Sequence, residues 1–119
     1  MSAGELVGRC FHARTVAHIL HLKTRSYATH KALNEFYDEI VPLADSFAEV
    51  YQGEYGLITS YPSKFSMADE PVPMLEELAD WVQKHRHSIC DEADTHLQNI
   101  IDEIVALIRS TLYKLRFLK

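Results

Sequence analysis

Near the end of the chain, Leu97, Ile100, Ile101, Ile104, Leu107, Ile108, Thr111 and Leu115 recur at three- and four-residue intervals. A strand would send neighbouring members of this set to opposite faces, whereas a helix gathers them on one stripe. A helix with so wide an apolar stripe cannot bury it alone. Three further segments supply the complement. Leu6, Cys10, Ala13, Ala17, Leu20 and Thr24 predict a helix over residues 5–25. Leu33, Phe36, Tyr37, Ile40, Ala44, Phe47 and Tyr51 predict a second over 29–52, kinked rather than ended by Pro42 and closed by Gly53. Leu75, Leu78, Ala79 and Val82 predict a third that starts near Pro73 and ends by His85-Arg86-His87. Ser88, with Asp91 three residues on, has the form of a capping box for the fourth.

Between residues 54 and 73 the periodicity fails. Gly56, Pro62, Pro71, Pro73 and scattered serines read as a long connection with room for a short helix. The expected fold is all-α, an antiparallel four-helix bundle formed by residues 1–119 as one domain. The long connection between helices 2 and 3 either runs the length of the bundle or joins a plain up-and-down order.

Composition narrows the function classes. A chain of 119 residues that is 47% hydrophobic and 24% charged can bury one core, which excludes a disordered tail or a fibre. No apolar run reaches the roughly 18 residues of a membrane span, and no leader pattern is expected. The net charge of −5 offers no global field to phosphate backbones, so neither membrane nor nucleic acid is an expected partner. The basic residues cluster as Arg9, Arg14, Lys23, Arg25 and Lys31, and as Arg109, Lys114, Arg116 and Lys119. They read as solvated helix faces and a last turn matched to the helix dipole. Cys10 and Cys90 lack metal or redox spacing and read as reduced thiols in a cytoplasmic protein.

Seven histidines remain to be placed. On a helical projection of the second segment, His30, Asn34, Val41, Asp45 and Ala48 fall together about 80° to 140° from the core direction. Lys31 is the one base there against Glu35, Asp38, Glu39, Asp45 and Glu49. Asp45 and Glu49 are one turn apart and can grip one cation. On the first segment His21 lies about 40° from Ala17, inside the apolar stripe, and His18 about 100° away. A histidine on an apolar face more often completes a core than binds a metal. A break near Ser26 to Thr29, both suitable N-caps, would make His21 and His30 neighbours. Two imidazoles and two carboxylates suit iron, zinc or manganese.

The run from His21 to Gly53, HLKTRSYATHKALNEFYDEIVPLADSFAEVYQG, resembles the ferroxidase segment of the Dps branch of the ferritin-like superfamily. It looks most like the small ferritin-like proteins of tailed bacteriophages. In Dps proteins one histidine ends the first helix, another begins the second, and an Asp-x-x-x-Glu pair follows fifteen residues later. Here His30 and Asp45 are fifteen apart, and Glu49 completes the pair. The resemblance implies a ferritin-like bundle with the connection along its length, and metal ligands His21, His30, Asp45 and Glu49. It implies that each site draws on two subunits across a dimer interface, within a homo-oligomer that is a dimer or a larger shell. It also implies iron as the metal, with zinc or manganese as alternatives, and oxidation of ferrous iron by peroxide or oxygen. No catalytic residue beyond the ligands is implied. The setting would be cytoplasmic, in the host cytoplasm if the protein is viral.

The sequence also departs from the Dps pattern. The histidines are three residues closer than usual, and His18 would restore the interval. Asn34 stands where a further acidic ligand is common, Leu22 replaces a tryptophan, and the lysine-rich tail of DNA-coating members is absent. The alternative function is a non-catalytic, phage-type helical-bundle interaction or assembly protein on a degenerate ferritin-like scaffold. Elsewhere, His96 and Glu103 read as an inner ligand pair or a polar shoulder of the core. His12, His85 and His87 read as surface residues, and Tyr51, Tyr55, Tyr61 and Phe65 as an aromatic group beside the connection. No phosphate loop, nucleophile elbow or CxxC spacing occurs.

Overall fold

Ser2 accepts a hydrogen bond from the Glu5 amide at 3.2 Å, which satisfies one of the free donors at the head of the first helix. The computed structural model describes residues 2–119 and contains four helices: α1 (Ala3–Lys23), α2 (Tyr27–Tyr55), α3 (Pro71–Ile89) and α4 (Thr95–Phe117). There is no strand among the described residues.

Helix ends follow local chemistry, and at the end of α3 burial overrides it. Thr24 turns extended and closes α1 just before the expected end. Ser26 then caps α2, accepting from the Thr29 amide at 3.2 Å. Pro42 lies inside α2, which continues on both sides. Gly53 does not end that helix. Gly56 does, at φ +94, a backbone conformation that side chains with a Cβ rarely adopt. α3 starts at Pro71, where a missing amide is harmless. Ser88 is not a cap either: it sits in the last turn of α3 and its hydroxyl donates to the His85 carbonyl at 2.9 Å. The extra turn carries Ile89 into the core at 4% exposure. That burial is worth about 1.5–3 kcal/mol, more than the roughly 1 kcal/mol of a serine cap. The N-cap of α4 is Asp94.

α1 and α4 each pack against both α2 and α3, so the order around the bundle is α1–α2–α4–α3. α2 and α4 are antiparallel. Glu35 near the start of one pairs with Lys114 near the end of the other at 2.6 Å, and Tyr55 and Asp94 meet at the opposite end. α3 and α4 are antiparallel too, held by Arg86–Asp102 and Arg116–Glu76, both at 2.6 Å.

The connection of residues 56–70 holds no helix. The Gln52 side chain accepts from the Ile58 amide at 3.0 Å and starts it on its path. It then runs along α1. Ser60 lies over Gly4, Pro62 over Gly8, and the Phe65 ring is 4.9 Å from that of His12. Farther on, Asp69 and Glu70 share a cleft with Lys23 and Thr24. The connection therefore travels the whole bundle, and every neighbouring helix pair is antiparallel. This is the lengthwise crossover, not the plain up-and-down order.

The core is built from the stripes read in the sequence: Leu6, Leu33, Phe36, Ile40, Phe47, Leu75, Leu97, Ile101, Ile104 and Ile108 are fully buried. Where polar groups go inside they are paired. Gln98 accepts from Arg86 Nε at 2.8 Å and donates to the Cys90 carbonyl at 3.1 Å, which ties the α3–α4 turn together.

Candidate functional site

The last two turns of α1 carry His18 and His21, and the first turn of α2 carries His30. The short link through Ser26 brings them together. His21 is 6% exposed, and its Nδ1 lies 2.7 Å from the His30 carbonyl. His30 Nδ1 lies 2.9 Å from the His21 carbonyl, an acceptor near the end of α1. A carbonyl only accepts, so each Nδ1 carries a proton, and Nε2 is the nitrogen whose lone pair a neutral ring would offer. The two rings stack with centroids 3.6 Å apart.

Tyr37 extends the cluster along the outer face of the α1–α2 hairpin. Its ring stacks on His18 at 4.2 Å and meets His21 edge-on at 5.3 Å. Its hydroxyl donates to Asn34 at 3.1 Å, and Asn34 donates to Asp38 at 2.8 Å. His18, which would restore the longer histidine interval, and Asn34, which stands where an acidic residue is expected, thus both hold Tyr37.

Asp45 and Glu49 are exposed on α2. At 1.5 Å of rise per residue, Asp45 lies about 22 Å along the helix from His30. Within one chain the histidines and these carboxylates are not brought together. Among the described residues, the one group of three or more close metal-type donors lies elsewhere, at Glu54, Asp94 and His96. His96 and Glu103, expected as an inner ligand pair or a polar shoulder of the core, are both exposed. The His96 Nε2 is 3.1 Å from Glu54 Oε1, and the Tyr55 hydroxyl donates to Asp94 beside it. Asp94, and Glu54 behind it, hold the Tyr55 phenol above its usual range. Glu54 and His96 are 42 residues apart. No local spacing signals their meeting, only the antiparallel return of α4 past the end of α2.

Two of the other histidines are half-buried against aromatic rings. His12 lies against Phe65, and partial burial with Arg9 nearby pushes its pKa down. His85 packs on Trp81, which also takes the Arg9 guanidinium at 4.3 Å from the ring centroid. His87 is exposed. Both cysteines are free, and burial pushes the Cys10 thiol up to about 12 and that of Cys90 up to about 11. No described helix is long and apolar enough to cross a membrane.

Fold and side chains together define a four-helix bundle with a lengthwise crossover and a histidine pair at its first hinge. The chain belongs to a family described as "Family of unknown function (DUF5856)", which it matches over residues 21–115. It is 30% identical over 115 residues to a protein of Enterobacteria phage T4 named "Uncharacterized 14.6 kDa protein in mobD-ri intergenic region". The match covers 95% of this chain and 87% of that one. The phage origin of this relative is consistent with the expected phage relationship. No solved structure matches the chain.

Proposed function

We propose that this chain is a ferritin-like protein whose α1–α2 hairpin pairs with that of a second copy to hold ferrous iron as substrate. His21 and His30 of one copy would act with Asp45 and Glu49 of the other. The observation that carries the reading is the reciprocal pair of Nδ1–H bonds at 2.7 and 2.9 Å. Metal-binding histidines nearly always donate their second ring nitrogen to a carbonyl or carboxylate, which fixes the tautomer and leaves the other nitrogen for the ion. Both rings meet that condition before any metal arrives. The donor set fits iron when it is completed across two copies, because one chain presents only the nitrogens at this point.

A two-fold antiparallel pairing supplies the rest. Residues 30 and 45 to 49 of α2 come opposite each other when the axis crosses that helix near residues 38 to 40, and on this face Val41 and Ala48 offer apolar contact. The two histidines would hold and orient the ion, the carboxylates would balance its charge, and the covered face would keep bulk water away. Bound there, two ferrous ions would pass one electron each to peroxide, giving ferric iron and water with the uptake of two protons. In the setting of its phage relative, the protein would act in the host cytoplasm.

Anaerobic addition of ferrous iron, followed by peroxide, should produce ferric near-ultraviolet absorbance. Light scattering should report a mass above the 13.7 kDa of one chain. The His30→Ala, Asp45→Ala double variant should lose the oxidation. Equal behaviour of that variant and the parent refutes the reading. The second reading, a non-catalytic interaction or assembly protein, draws on the separation of the histidines from Asp45 and Glu49 within one chain. It predicts an oligomer that takes up no iron.

A further inference from the structure

We propose that Glu54, Asp94 and His96 form a separate site for a divalent cation of zinc type, which clamps the end of α2 to the start of α4. Glu54 is the penultimate residue of α2, Asp94 is the N-cap of α4, and His96 stands in the first turn of α4. One nitrogen and two carboxylate oxygens lie within 4.8 Å of one another. An ion sits about 2.0–2.2 Å from such donors, so tetrahedral ligands are roughly 3.3–3.6 Å apart. The His96–Glu54 pair is already at 3.1 Å. Closing the third donor on the ion needs only small rotations of surface side chains.

The charge and the orientation of the group point the same way. Two carboxylates face one imidazole. Arg86, at the neighbouring end of α3, is committed to Gln83, Gln98 and Asp102. Asp94 does not use its carboxylate to cap its own helix, the ordinary role of an N-cap aspartate, although the α4 amides are beside it. Its Oδ2 accepts from the Tyr55 hydroxyl instead, and a hydrogen bond of that kind orients a ligating carboxylate. One imidazole with two oxygens suits zinc or a similar borderline ion. Magnesium and calcium prefer more oxygen ligands and no nitrogen. Three protein ligands leave a fourth position for water.

This site does not depend on the iron reading. Glu54 is 24 residues from His30 on one helix, about 36 Å along its axis, and it projects about 140° around that helix from Glu49. An ion there would stabilise the folded state through mass action, since the unfolded chain scatters the three ligands.

The test is zinc titration of the full chain by calorimetry, with thermal unfolding in parallel. One saturable zinc per chain is expected at this site, with a melting temperature that rises with zinc. His96→Ala and Glu54→Gln should each weaken that binding by at least about tenfold, and their metal-free melting temperatures should stay near that of the parent. His30→Ala should leave the binding intact, which separates this site from the proposed iron site. Cobalt in place of zinc should give a visible absorption band that His96→Ala removes. The proposal is overturned if zinc binding is unsaturable, if His96→Ala binds as the parent does, or if His30→Ala abolishes binding that His96→Ala retains.

Discussion

His21 and His30 each donate Nδ1–H to the other's backbone carbonyl, at 2.7 and 2.9 Å, across the hinge between α1 and α2. The exchange locks the helix junction while leaving the far nitrogen of each ring uncommitted. The two bonds share one geometry, so they should act as a unit. Replacing either histidine by alanine removes its own bond and the stacking partner of the other ring. A double-mutant cycle in urea should show a coupling of about 0.5–3 kcal/mol. Additive single effects would mean that the stack is incidental.

The path of the connection depends on two glycines. A Cβ at Gly4 would lie 2.0 Å from the Ser60 carbonyl oxygen, and one at Gly8 would lie 2.3 Å from the Pro62 ring. Gly4→Ala and Gly8→Ala should therefore destabilise by about 1–3 kcal/mol, the usual effect of overpacking. They should also expose residues 56–70 to limited proteolysis. Gly53 is the control, since a Cβ there meets nothing within 4 Å inside α2. Gly53→Ala should stabilise by about 0.5–1 kcal/mol through helix propensity.

Cys10 is fully buried in the core with its thiol pushed up to about 12 by that burial. A thiolate-directed reagent should therefore label Cys10 in the native protein only as fast as the chain unfolds. The pKa is raised on folding, so the contribution to stability is complete below the unfolded value of 9.0 and is lost as pH climbs toward 12. A Cys10→Ala variant should show a shallower alkaline decline in its urea midpoint.

Glu35 and Lys114 join the start of α2 to the end of α4 at 2.6 Å, and the lysine holds the Glu35 carboxyl below its usual range. The depressed pKa makes this contribution present above the unfolded carboxyl value and lost as pH falls through the folded one. Both groups are substantially exposed, so the effect should be a few tenths of a kcal/mol and fade with salt. Glu35→Gln should flatten the acid limb of the stability profile slightly at low ionic strength and leave it unchanged at high.

Much of the fold was legible because its causes are local. Leu97, Ile101, Ile104 and Ile108 declare a helix by spacing alone, and Ser26 declares the break that makes His21 and His30 neighbours. The misread ends of α2 and α3 have a different origin. Gly53 looks like a terminator until the next glycine takes the unusual φ, and Ser88 looks like a cap until Ile89 is seen to need the core. In the sequence Tyr37 belongs to the apolar stripe of the second helix. Only with both helices in place does it become the ring on which His18 stacks.

The chain by itself determined four amphipathic helices, their core faces and the meeting of two histidines at the first hinge, because each follows from residues within a few turns. Tertiary structure decided the rest. It sent the connection along α1, where Gly4 and Gly8 make room, and so made every neighbouring pair antiparallel. That return placed His96 beside Glu54, 42 residues away in the chain. These relations join residues far apart in sequence, and only the packing of whole helices brings such residues together.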